Sequence, residues 1–397
     1  MKRIKTFLML LLAAGVFFGV VRLALRCRPL LPPVRALWVT RFDYTTPEDV
    51  RRIVSNVAGA GFTDLFFQIR GNGTVFYKSQ LEPWAYELSG GEVSDLGTDP
   101  GWDPLQVAID AAHASNLRIH AYMNVLPGWK GLEEPPAAVG QLWTEHPDWF
   151  MVDSLRQKML PTSGWYAFVN PVLPEVREHL RGLVSELCRY DVDGVHLDYI
   201  RYPEDYRLVA AQRYPDADEA EILRHSDFSY DPVSQAELFD RYGWNISAKQ
   251  IRKFRCDSVT RVVREISATM QQERPGDCLL STSVMGNPVD GKKLAYQDSG
   301  AWVRQGLVDW VVQMNYGTAS FDPYLKAIKK AAGRKGFRRS VVVGIYCEND
   351  ADQVVAQIDK AKASCARGYA LFSYSFLFGE DHLPTKKGRI LLAKIRP

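Results

Sequence analysis

Eight short apolar runs, each followed by an amphipathic stretch of helical period, recur along the 397-residue chain and constrain its fold more than any other feature. The runs cover residues 35–43, 64–70, 118–125, 194–202, 278–286, 309–317, 340–346 and 369–378, and the helical stretches cover 47–60, 104–116, 174–190, 254–272, 296–305, 323–332, 351–366 and 384–395. Strands separated by helix-length crossovers pair in parallel, because the crossover carries the chain back to the same end of the sheet. Eight such units close on themselves. The sequence therefore predicts an α/β fold, a (β/α)8 TIM barrel over residues 31–397, with its reacting groups at the C-terminal ends of the strands.

Two connections exceed what a barrel needs. Residues 126–173, after the third strand, carry Trp129, Trp143, Trp149, Trp165 and Tyr166, aromatic faces suited to a planar-faced ligand. Residues 203–253, after the fourth, form an acidic insert that includes Glu204, Asp205, Asp216 and Asp218, and such long connections in a compact domain are commonly functional. The whole chain is nearly balanced, with 49 Lys+Arg against 46 Asp+Glu, so no basic footprint for nucleic acid exists and none is expected as a partner. At the N-terminus Lys2, Arg3 and Lys5 precede an apolar run from Phe7 to Val21, the layout of an export signal. Residues 1–30 are thus expected to carry the protein to the periplasm or cell envelope, either as a cleaved signal or as an anchor in the inner membrane.

The strand ends carry the chemistry. His196 and Asp198 lie two residues apart on the fourth strand, so they share one face, with Asp198 at the mouth and His196 one layer below. Tyr199 and Arg201 follow, and Arg201 is also a candidate to neutralise Asp198. Other strands end in Arg41 and Asp43, in Gln68 and Arg70, in Asn124, in Gln313, Asn315 and Tyr316, and in Tyr346 and Glu348. With Trp129 from the aromatic connection, these form the expected substrate-binding set around the mouth. Seven His with no ligand spacing leave no expectation of a metal, and no cofactor motif is present. No Gly-x-Ser-x-Gly elbow marks a nucleophilic serine. Carboxylates, amides and aromatic rings remain, the equipment for splitting a glycosidic bond with two acids. Asp198 is the first carboxylate, Glu348 facing it from strand seven the best second, and Asp43 the next. Carboxyls about 5–5.5 Å apart would retain the anomeric configuration and roughly 6.5–9.5 Å would invert it.

A family resemblance runs through the same residues. Arg35-Ala36-Leu37-Trp38-Val39-Thr40, Phe67-Gln68-Ile69-Arg70 with Tyr77 and Pro83-Trp84, Asp103-Pro104-Leu105, His120-Ala121-Tyr122-Met123-Asn124, His146-Pro147-Asp148-Trp149, the segment from Asn170 to Arg177, and that from Asp193 to Pro203 follow one another in order. Together they resemble the bacterial glycosyl-hydrolase-like family ten, barrel proteins of the cell envelope whose relatives are implicated in cutting peptidoglycan glycan strands. Family members often carry Asp-Asp-Tyr where this chain has Leu197-Asp198-Tyr199, so only the second acid maps, onto Asp198. The resemblance implies a glycosidase acting on an N-acetylated polysaccharide. Two other classes stay open: a substrate-assisted, chitinase-like hydrolase with Asp198 as the acid, and a non-catalytic glycan-binding barrel.

Overall fold

A computed structural model describes residues 32–204 and 206–395. The export segment expected at 1–30 lies outside the described residues, as does Asp205. Eight parallel strands close a barrel: β1 (Val34–Val39), β2 (Asp64–Arg70), β3 (Arg118–Asn124), β4 (Gly194–Asp198), β5 (Leu279–Met285), β6 (Trp310–Met314), β7 (Val341–Tyr346) and β8 (Gly368–Phe372). Each pairs with its neighbours in sequence, and β8 pairs with β1 to close the ring. The outer helices are α1 (Pro47–Gly59), α2 (Pro104–Ala114), α3 (Pro174–Leu187), α4 (Ala248–Glu273), α5 (Ser299–Gln305), α6 (Phe321–Ser340, broken at Gly333), α7 (Ala351–Ala363) and α8 (Lys386–Ile395). In α1 the apolar positions Val50, Ile53, Val54 and Val57 repeat every three to four residues and are buried against the sheet, and Thr46 with Asp49 forms a capping box at its start.

The barrel interior is packed. Val34, Ala36, Trp38, Phe66, Tyr122, Trp310, Val312, Val342 and Ala370 form a cluster of their own, separate from the larger core between strands and helices. His120 and His196 sit in the same interior with no exposed surface. Gly194 is required there, since a β-carbon at this position would collide with the His120 ring and meet the Leu279 carbonyl at 2.8 Å. At the closed end Asp64 accepts from Arg118 at 2.9 Å and contacts His120 at 3.0 Å, so the buried carboxylate is paired.

β1, β4, β6 and β8 each stop at least three residues before the end of their apolar runs, all at the C-terminal end. β1 ends at Val39 because the Asp43 carboxylate takes the Thr40 N–H at 2.6 Å and the Thr40 hydroxyl at 2.9 Å, which turns the chain. β4 ends at Asp198 because its own carboxylate takes the next N–H, at 2.7 Å, with Tyr199 in the left-handed region at φ 48°. β8 gives way to a helical turn at Tyr374–Leu377. The aromatic connection after β3 contains an antiparallel hairpin, Pro127–Lys130 with Tyr166–Phe168. The acidic insert after β4 contributes the helices Tyr206–Arg213, Glu219–His225 and Pro232–Tyr242. It is fastened to that connection by His225 against Asp153 at 2.7 Å and by Asn170 donating to Asp231 at 2.8 Å.

Candidate active site

Asp198 is the best-connected carboxylate at the mouth. One oxygen accepts from the Tyr199 N–H at 2.7 Å and from Arg201 Nη1 at 3.0 Å, and the other accepts from the Tyr122 hydroxyl at 3.2 Å. Arg201 also forks onto Glu204, with Nε at 3.1 and 3.0 Å from the two oxygens. Burial alone would lower the Arg201 pKa, but Glu204 and Asp198 raise it, so its charge is fixed. An Asp–Arg–Glu ladder therefore spans the start of the β4 connection. The register places Asn124 directly across from Asp198, and Asn124 Oδ1 is a buried acceptor with no partner among the described residues.

Aromatic rings flank this ladder on two sides. The hairpin supplies Tyr166, whose ring meets Tyr199 edge-on at 5.4 Å, and the half-buried Trp165 at 6.3 Å from the same ring. Arg41 donates to the Tyr166 hydroxyl at 3.3 Å and to Glu87 at 3.1 Å. From β6, β7 and β8 come Tyr316, Tyr346 and Phe372, all half-buried, with Tyr316 stacked on Tyr346 at 5.3 Å and on Phe372 at 5.9 Å. Burial and then the Asp198 charge push the Tyr316 phenol well above its ordinary range, which ties this wall electrostatically to the ladder. A sugar has apolar C–H faces and hydroxyl edges, and a cleft of partly exposed rings around charged hydrogen-bonding groups matches both.

The other two expected carboxylates sit elsewhere on the rim. Glu348 is exposed on the turn after β7, bonded to the Tyr346 hydroxyl, and that bond, with burial second, pushes the phenol up to about 12. β4 and β7 are three places apart in the eight-strand ring, and it is β8 that stands opposite β4. Asp43 closes the β1 turn, and its charge is felt by Tyr374 behind β8 and by Tyr44. Burial raises the Asp43 carboxyl to about 6, against the Thr40 hydrogen bonds that lower it.

Several residues of the expected binding set do other work. Arg70 is buried and forks onto Glu82 at 2.6 and 2.7 Å, with its remaining nitrogen on the carbonyls after β3, so it ties β2 to the next connection. Gln68 accepts from the Arg41 N–H at 2.9 Å and so sets the β1 turn. Trp129 is 1% exposed and donates to the Glu133 carbonyl at 3.1 Å; it is a core residue of the hairpin, leaving no face for a ligand. His196 accepts from the Trp38 indole at 3.1 Å and lies 2.8 Å from Ser281 Oγ. An indole can only donate, so Nε2 is unprotonated, and burial, with His120 adding to it, holds the imidazole pKa well below its ordinary value. Gln313 and Asn315 point out of the barrel, because Val312 and Met314 take the inward positions between them. Gln313 donates to the Gly286 carbonyl at 2.7 Å and Asn315 to the Phe321 carbonyl at 2.9 Å.

With this geometry in hand, comparison with known proteins decides the family. The glycosyl hydrolase-like 10 family matches residues 33–364. The chain belongs to that family. It is 25% identical over 329 residues to the glycosyl hydrolase DigH of Escherichia coli (strain K12), a match covering 72% of this chain. The chain spans 65% of that relative's length. Among solved structures it is similar to the catalytic domain of β-amylase from Paenibacillus polymyxa, with a TM-score of 0.62 at 10% identity over 91% of this chain and 97% of that one. The PgaB (BpsB) glycoside hydrolase domain from Bordetella bronchiseptica gives 0.55 at 13% identity over 87% and 95%. These likenesses establish the closed barrel that the alternating pattern predicts.

Within this glycosyl hydrolase-like barrel, six residues join the site that the set read from strand ends omits: Tyr122, Trp165, Tyr166, Phe372, Glu87 and Glu204. Tyr122 was within reach, since it shares the inward face of β3 with Asn124. Glu204 follows Arg201 by three residues, a spacing that lets the two side chains meet in a tight turn. Trp165 and Tyr166 come from the aromatic-rich connection after β3, whose composition is their sequence signal, whereas Glu87 arrives from an irregular connection and carries no periodic signal. Among the described residues no group of three or more His, Cys, Asp or Glu is placed to hold a metal ion.

Proposed function

We propose that this chain is a glycoside hydrolase of the cell envelope that cleaves peptidoglycan glycan strands, with Asp198 as its central carboxylate and Glu348 as the second. The observation that carries the reading is Asp198 at the head of a charged ladder in a ring-lined cleft. All three of its partners are donors, so the carboxylate is oriented as an acceptor, as a group that stabilises or attacks a developing positive anomeric centre must be. The Asp198 charge acts on Tyr316, which stacks on Tyr346, which bonds Glu348, and a sugar ring resting on the two tyrosines would reach both carboxylates. Glu348 is water-accessible and held by a phenol, which suits proton exchange with a leaving group or with water. The family supports glycan cleavage, and the N-terminal charged and apolar layout supports the envelope.

A glycan-binding barrel without turnover is favoured by one observation, that Arg201 already occupies Asp198. Release of reducing ends from peptide-stripped peptidoglycan separates the two. Asp198→Asn and Glu348→Gln should each lower turnover by roughly 10²- to 10⁴-fold while retention on the glycan persists. Retention without reducing ends from the unaltered protein would establish the binding barrel instead. Full turnover by Asp198→Asn would remove this residue from the chemistry.

A further inference from the structure

The acidic insert encloses a basic groove. A cavity of about 300 Å³ lies between the start of α4 and the turn after β5, and its charged lining is Arg252, Arg255, Lys293 and Asp227. Asp227 is matched by Arg255 at 2.6 Å, whereas Arg252 and Lys293 are exposed and have no ionic partner among the described residues. Two positive charges are therefore uncompensated. Arg255 is 6% exposed, and its Nε has no hydrogen-bond partner although two other nitrogens are engaged with Tyr296, Asp227 and the Phe228 carbonyl. A second cavity of about 180 Å³ shares Arg255, Lys293 and Tyr296 and reaches Glu204. Glu204 is the outer member of the ladder that ends at Asp198, so the second cavity reaches the residue that, through Arg201, is two links from the central carboxylate.

We propose that this groove is a subsite for a carboxylate borne on a sugar ring of the substrate, which makes the protein selective for acidic glycan strands. The proposal rests on the glycan-hydrolase reading and extends it to substrate class. Each unpaired cation in a concave site offers an arriving anion a charge-assisted hydrogen bond, set against the water that each gives up. Tyr296, half-buried and held edge-on by Tyr202 at 5.0 Å, supplies ring surface beside the cations for the sugar that carries the charge. The insert is acidic elsewhere, so a carboxylate outside the groove is repelled and one inside it is held, which gives register along the strand.

The test uses glycan strands stripped of stem peptides, whose ether-linked carboxylates are free, the same strands with those carboxylates amidated, and intact peptidoglycan, in which those carboxyls are tied up as amides and the free carboxylates lie on the peptides. Arg252→Gln and Lys293→Gln should each raise KM on the stripped strands about three- to fivefold, the size of a partly exposed ion pair, with the double variant near the product. Amidation should raise the KM of the unaltered protein to the same extent and erase the difference between it and the variants. Equal KM values on stripped strands, or a difference that persists after amidation, would overturn the subsite. A variant effect seen with intact peptidoglycan alone would place the carboxylate on the peptide and overturn a sugar carboxylate. If the unaltered protein releases no ends from any material, the hydrolase reading fails, and the groove is then decided by affinity gels holding the same strands. Stronger retardation of the unaltered protein than of the double variant, on carboxylate strands alone, would sustain it, and equal mobility would refute it.

Discussion

Replacing Glu82 by Gln tests whether Arg70 holds the fold or touches substrate. Glu82 has no exposed side-chain surface; its oxygens accept from Arg70 Nη2 at 2.6 Å and Nε at 2.7 Å, and one also meets His179 Nε2 at 2.9 Å. Burial alone would raise this carboxyl, but Arg70 and then His179 overcome it and bring it from 4.5 down to about 2. At about 1.4 kcal/mol per pH unit that difference is worth roughly 3 kcal/mol of stability. Gln keeps the shape and removes the charge, leaving the Arg70 guanidinium buried beside a neutral amide, a change that costs about 3–5 kcal/mol. Because the folded pKa is depressed, the contribution is complete above pH 4.5 and is lost as pH falls towards 2. Urea unfolding of both proteins should therefore show the full gap at pH 7 and a shrinking one through the acid range. A gap below about 1 kcal/mol at pH 7, or one that does not change with pH, would refute the structural assignment of Arg70.

Asp43→Asn should move stability the other way with pH. Its carboxyl is raised from 3.8 to about 6, so the protonated form favours folding; that contribution is present below pH 3.8 and is lost as pH rises through 6. Discounted for partial exposure, the Asn variant should match the unaltered protein in acid and exceed it by about 1–2 kcal/mol above neutrality, and equal unfolding midpoints throughout would count against it. Trp129→Ala should lower stability by about 3–5 kcal/mol, as expected for a core ring, whereas Tyr316→Ala should leave the melting temperature within a few degrees and weaken glycan binding roughly fivefold. The reverse pattern in thermal melts and binding assays would return Trp129 to the cleft.

The barrel was legible because its cause is local and periodic. Eight apolar runs at strand length, each followed by a helical stretch, have one economical way to bury both faces of the sheet. The pairing of His196 with Asp198 on one face followed from the two-residue period, and their depths followed from position along the strand. Side-chain partners were not legible, since they depend on which connection folds over which strand end. Arg70 reads as a mouth residue until Glu82, twelve positions on, is seen to reach back to it. Trp129 reads as a stacking platform until the hairpin buries it. Gln313 and Asn315 fall on the outward face because β6 places Val312 and Met314 inward, a one-residue phase that an apolar run without clean alternation does not set. The sequence by itself determined the architecture, the end of the barrel that forms the mouth and the depth of Asp198 within it, because repeat length and strand period act within each unit. Tertiary structure alone decided which polar groups face the cleft, because their partners come from segments that only the fold brings together, as Tyr122 and Arg201 meet at Asp198.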